Sequence, residues 1–148
     1  MYRPTLEEVK KMAGQGNLVP VYREIVADLE TPVSAFLKIN RGEPSFLLES
    51  VEGGQRMARY SFIGTEPYRL SATTAADNTD PLPAIAAEMD QFKMVPVAGL
   101  PRFCGGAVGY LSYDAVRFFE RLPDDNPDSL DLPDLYFMIT DTILIFDH

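Results

Sequence analysis

Basic residues run out before the chain does. Residues 122–148 contain no lysine or arginine, against seven aspartates. Over all 148 residues, 13 Lys and Arg face 22 Asp and Glu, for a net charge of -9. A nucleic-acid binder needs a basic footprint, and an anionic membrane surface asks for the same, so the balance argues against both partners. There is one cysteine, Cys104, which rules out an internal disulfide and suits a reducing compartment. The one histidine, His148, is the last residue and a poor candidate for a firmly held base. No run approaches the roughly 20 apolar residues that span a bilayer. The N-terminus, MYRPTLEEVKKM, places acids where a signal peptide needs an uninterrupted apolar stretch. These shortages predict a soluble, cytoplasmic protein.

Catalytic machinery is equally scarce. Cys104 sits between Phe103 and Gly105 with no partner to generate a thiolate, and reads as a small buried hydrophobe. GGAVGY has glycines but neither G-x-G-x-x-G nor a phosphate-loop lysine, so its glycines fit a strand that lets another backbone come close. Asp124, Asp125, Asp128, Asp131 and Asp134 tempt a calcium reading, but Pro123, Pro127 and Pro133 interrupt them and the EF-hand order is absent. A solvated loop fits better. Neither a catalytic residue nor a metal-ligand set is legible.

What is present is ordinary globular material: 46% hydrophobic and 24% charged residues, enough for one domain with a real core, spanning 1–148. Thr5 with Glu8 forms a capping box that opens a short helix ending at Gly14 and Gly16. Thr31-Pro32 repeats the start signal for a second helix of about nine residues, with Val33, Phe36 and Leu37 as its expected buried stripe. A hairpin with Gly53-Gly54 at its turn follows, then a strand over 69–73 and a modest helix through Ile85, Met89 and Phe92. FCGGAVGYLSYDAVRFFE begins as a strand and turns helical around Asp114. LYFMITDTILIFD, apolar on both faces, reads as one strand on the order of 40 Å long that expects cover on each side. Such a strand at a terminus suggests a piece of a larger sheet.

The hairpin carries the only arrangement with recognisable ligand chemistry. One apolar strand ends in Glu49-Ser50, and its return strand brings Arg59, Tyr60 and Ser61. A carboxylate, a guanidinium and two hydroxyls suit a zwitterion such as an amino acid. The same residues also suit a solvated hairpin end with a weak surface ion pair.

Four segments in order, LLES at 47–50, RYSFIG at 59–64, GGAVGYLSYD at 105–114 and LPDLYF with DTILIFDH at 132–148, resemble the N-terminal part of the large subunit of anthranilate synthase. The likeness runs from about Pro20 to the end. Aminodeoxychorismate synthase, a related chorismate-using enzyme, shares the GG..GY..YD strand; a free-standing amino-acid-binding or interaction module is a further alternative. The resemblance implies an α+β fold, a mostly antiparallel sheet forming half of a β-sandwich with a few short helices. It implies an enzyme that converts chorismate and ammonia to anthranilate and pyruvate with Mg2+, supplied with ammonia by a glutamine amidotransferase subunit and inhibited by tryptophan. The chorismate and Mg2+ residues belong to a C-terminal domain that this sequence lacks, so the segment is expected to bind no Mg2+ and to be inactive alone. Its expected contribution is a tryptophan regulatory site at Glu49, Ser50, Arg59 and Ser61, with Glu49 and Ser50 meeting the ligand's ammonium group. Without its covering domain the segment is expected to self-associate.

Overall fold

The computed structural model describes residues 1–49, 59–73, 80–123 and 127–148. Ser50, the Gly53-Gly54 turn and Asp124-Asp125 lie outside the described residues.

Two threonines start helices, as the sequence predicts. Thr5 caps α1 (Leu6–Met12): its Oγ1 accepts from the Glu8 N–H at 3.4 Å, and Glu8 Oε2 accepts from the Thr5 N–H at 2.7 Å. The reciprocal pair satisfies backbone donors that any helix start leaves free. Thr31 and Ser34 exchange the same two bonds at the head of α2 (Pro32–Ile39), at 3.0 and 2.9 Å. Helix α2 turns a different face inward from the one expected. Val33 and Leu37 are exposed, and the buried residues are Pro32 and Ala35. Small side chains on that face let the helix lie close on the strands that follow it. Helix α3 (Leu82–Met89) begins where Asp80 Oδ1 accepts from the Leu82 N–H at 3.0 Å. It stops a turn before Phe92, which stays half exposed.

The described residues form six strands: β1 (Phe46–Glu49), β2 (Tyr60–Gly64), β3 (Arg69–Thr73), β4 (Gly106–Leu111), β5 (Leu135–Thr140) and β6 (Ile143–Asp147). They build two three-stranded antiparallel sheets, ordered β1-β2-β6 and β3-β5-β4. The α+β class with antiparallel pairing is therefore as read from the sequence, and so is the turn to helix near Asp114, a short 3-10 helix at Tyr113–Phe118.

The terminal apolar run departs from expectation. It is two strands, broken at Asp141 and Thr142, and the halves belong to different sheets. Both break residues are exposed, and the Thr142 hydroxyl donates to Asp141 Oδ1 at 3.1 Å, a local bond that competes with ladder pairing. Each half spans roughly 20 Å, ordinary for a strand. The two-sided apolar pattern has a separate cause in each half. β5 is the central strand of its sheet and buries Leu135, Met138 and Ile139, while β6 lies at an edge and is only half buried.

Two close approaches tie the sheets down. Gly109 of β4 faces the β5 backbone so tightly that a Cβ there would stand 1.9 Å from the Tyr136 carbonyl oxygen. Phe62 of β2 meets Phe103, just ahead of β4, edge to face with ring centroids 5.2 Å apart. Beside it Cys104 is partly buried, with its Sγ 3.5 Å from Met94 Sδ, and burial pushes its thiol up from the ordinary value. That suits the packing role expected of it. Among the described residues no helix is long and apolar enough to cross a membrane.

Candidate functional site

The three strands of the first sheet share a habit. Each is apolar along its length and polar at the same end of the sheet, where β1 finishes at Glu49, β2 starts after Arg59, and β6 finishes at Asp147 and His148. Antiparallel pairing sets the register: Glu49 lies opposite Ser61, Ser61 opposite Phe146, and Tyr60 opposite Asp147. Residues directly opposite share a face, and alternate residues along a strand return to it. Glu49, Ser61 and His148 therefore stand on one face, on three neighbouring strands. Of the residues the sequence singles out, Glu49 and Ser61 lie opposite each other and Arg59 directly precedes β2; Ser50, the fourth, lies outside the described residues.

Arg59 is held by Asp147, and Glu49 stands exposed at the end of β1. The Arg59 Nε donates to Asp147 Oδ1 at 2.5 Å and its Nη2 to Oδ2 at 2.8 Å, a two-pronged guanidinium–carboxylate pair. To reach Asp147, the guanidinium curls over the Tyr60 ring at 4.9 Å from its centroid. The pair holds the Asp147 carboxyl below its ordinary value, chiefly through the hydrogen bond from Arg59, and raises Arg59 for the same reason. Both side chains are about half exposed, so solvent and salt weaken what the pair contributes to stability.

Ser61 is only 2% exposed, and a hydroxyl so buried needs a partner. It has one in His148, whose Nε2 lies 2.8 Å from Ser61 Oγ. The His148 N–H also donates to the Arg59 carbonyl at 2.9 Å, extending the β2–β6 ladder past its last strand residue, and the imidazole lies near-parallel to the Phe146 ring. Asp147 and His148 thus join the candidate site, and sequence reasoning missed them. The signal that could have found them is the one that singled out Glu49-Ser50, a polar pair closing an apolar strand.

Glu49 is exposed at the end of β1 and open to a cationic group. The set can therefore offer a carboxylate, an imidazole braced by a hydroxyl, and a guanidinium already neutralised. That is recognition chemistry for a small zwitterion. Among the described residues no group of three or more His, Cys, Asp or Glu is placed to hold a metal ion. A cleft of about 540 Å³ opens at the opposite end of the same sheet, lined in part by Lys38, Arg41, Glu66 and Asp141. Arg41 pairs there with Glu66 at 3.4 Å, while Lys38 reaches out of the cleft to Glu30.

No protein-family model matches the chain. Among curated proteins, the anthranilate synthase component 1 of Acetivibrio thermocellus is 42% identical over 161 residues, covering 100% of this chain and 33% of its own length. A probable anthranilate synthase component 1 of Schizosaccharomyces pombe is 45% identical over 149 residues, covering 98% of this chain and 30% of its own. Among solved structures, anthranilate synthase component I from Streptococcus pneumoniae TIGR4 superposes with a TM-score of 0.52 at 24% identity, over 86% of this chain and 29% of that one, a likeness of fold. The chain thus spans about a third of the length of the curated relatives it matches.

Proposed function

This chain is homologous along its whole length to part of anthranilate synthase component 1, and from that premise we propose that it serves as the regulatory and structural N-terminal domain of such an enzyme. The complete enzyme converts chorismate and ammonia to anthranilate and pyruvate with Mg2+, taking ammonia from a glutamine amidotransferase subunit. Chorismate and Mg2+ are bound by a domain outside these 148 residues, and this domain is inert in catalysis alone. Its own ligand is L-tryptophan, bound at the polar end of the β1-β2-β6 sheet. Glu49 faces the ammonium group there, with Ser50, Arg59 and Ser61 completing the site.

One observation carries the ligand reading: pairing of β1, β2 and β6 gathers Glu49, Ser61, Arg59 and His148 at one sheet end. A solvated hairpin tip has no need to bury a hydroxyl there and brace it with an imidazole from another strand. An amide NMR titration of the chain with L-tryptophan, with L-tyrosine as control, tests it. Saturable shifts at Glu49, Ser50 and Ser61 that L-tyrosine does not reproduce are expected. Equal shifts with both amino acids, or none with tryptophan at millimolar concentration, would show that these residues do not form a tryptophan site.

A further inference from the structure

We propose that the cleft at the far end of the β1-β2-β6 sheet from Glu49 is a binding site for an aliphatic primary ammonium group. Its walls are the last turn of α2 with the loop after it, the end of β2, and the β5–β6 turn with the start of β6. At about 540 Å³ it falls within the size range of small-molecule pockets. Its charges do not cancel. Arg41 meets Glu66 at 3.4 Å, and Lys38 leaves the cleft for Glu30. Asp141 remains, and among the described residues its carboxylate accepts only from the Thr142 hydroxyl, at 3.1 Å. The cleft therefore holds a carboxylate with no cation of its own. Helix α2 adds to the same sign, because it ends at Ile39 and its negative pole stands in the wall.

The positive charge must arrive on an apolar body. Ile39, Ile63, Ile143 and Leu144 also line the cleft, with Ile63 fully buried beneath it. These side chains are aliphatic, and the lining has no ring to build the aromatic cage that suits a quaternary ammonium. A primary ammonium brings N–H donors that need acceptors. Asp141 supplies the charged one. The Thr142 hydroxyl proton is spent on Asp141, so its oxygen is left as an acceptor, and Thr65 adds a second hydroxyl to the lining. A guanidinium fits this place less well. Its two-pronged grip takes both carboxylate oxygens, and Thr142 already engages Asp141 Oδ1. An alkyl chain can thus lie along the isoleucines and leucine with its ammonium at Asp141.

The chain is titrated near neutral pH with n-pentylamine, which is protonated there, and its amides are followed by NMR. The controls are 1-pentanol, which lacks the charge, and pentyltrimethylammonium, which lacks the N–H donors. Saturable shifts at Ile63, Thr65, Asp141 and Leu144 are expected with pentylamine, and both controls should bind roughly tenfold more weakly. Asp141→Asn should weaken pentylamine by about the same factor. Arg41→Ala should act in the opposite direction. It frees the Glu66 carboxylate and tightens pentylamine several-fold, and Arg41 is exposed, so the fold loses little. Nα-acetyl-L-lysine methylamide separates the two sources of such a group. Binding as tight as that of pentylamine assigns the cleft to a lysine side chain of a protein, and its exclusion while pentylamine binds assigns the cleft to a free alkylamine. Equal binding of pentylamine and pentanol would reduce the cleft to an apolar groove and overturn the proposal. So would shifts at Glu49 in place of Asp141, an affinity unchanged in both variants, or no saturable shift with pentylamine at all.

Discussion

Replacing Gly109 with alanine should do far more damage than a single methyl group suggests. The added Cβ would stand 1.9 Å from the Tyr136 carbonyl oxygen and 2.7 Å from the Phe137 Cα. Ordinary contact begins near 3.4 Å, so β4 must retreat from β5 by about 1.5 Å (3.4 less 1.9) along that line. The obstructing atoms are backbone of the sheet's central strand and cannot swing aside as a side-chain tip would. A shift of that size pulls at the ladder running from the Gly106–Thr140 pair to the Leu111–Leu135 pair. Overpacking of this kind costs about 3 kcal/mol. For a chain of this size that lowers Tm by roughly 6–12 °C. The assay is thermal and urea unfolding followed by circular dichroism, with Gly14→Ala as the companion variant. A Cβ at Gly14 meets nothing within 4 Å, so that change should be neutral or stabilise by up to about 1 kcal/mol. Should Gly109→Ala unfold within a degree or two of the parent, the close approach of β4 to β5 would be refuted, and with it the account of why this strand is rich in glycine.

Four further expectations concern the site and its supports. Glu49→Gln should weaken L-tryptophan binding by about 1.5–3 kcal/mol while leaving Tm nearly unchanged, since Glu49 is exposed; calorimetry showing unaltered affinity would remove Glu49 from the site. The Asp147 carboxyl is held low by Arg59, so the stability it adds is present above the ordinary aspartate range and is lost as pH falls through its folded-state value. The Tm gap between the parent and Asp147→Asn should therefore be widest near neutral pH and close in acid; a gap that widens in acid contradicts the pairing. Thr31→Ala deletes the cap of α2 and should cost about 1 kcal/mol in urea unfolding, and an unchanged midpoint would mean that Ser34 and Glu30 hold the helix start without it. Leu48, Leu70, Tyr110 and Leu111 are exposed on edge strands β1, β3 and β4, so the isolated chain should self-associate, and sedimentation showing a monomer at high concentration would overturn this.

Local chemistry was the most legible part of the sequence. Both threonine caps lie within three residues of their partners: Thr5–Glu8 formed as expected, and Thr31 caps its helix as expected, with Ser34 as its partner. The buried face of α2 was not legible, because Val33 and Leu37 make as good an apolar stripe as any until a sheet selects Ala35. The split at Asp141-Thr142 was hidden for a similar reason. An apolar run carries no mark of which strand each half will pair with, and β5 and β6 were assigned by β3, β4 and β2. In the site, Glu49 and Ser61 could be read because a hairpin places them opposite each other. Asp147 and His148 could not, because nothing local ties them to residues far earlier in the chain.

That separation gives the site a place in time. Ser61 and His148 are 87 positions apart, and Arg59 and Asp147 are 88. Closing so long a loop is entropically slow, and little rewards it until β6 exists to dock on β2. During synthesis β1 and β2 can pair early, while β6 and its polar end are still to be translated. A chain arrested before residue 147 would display Glu49 and lack both polar pairs. Recognition at the proposed site would thus wait for β6, because neither polar pair exists until that strand has docked on β2.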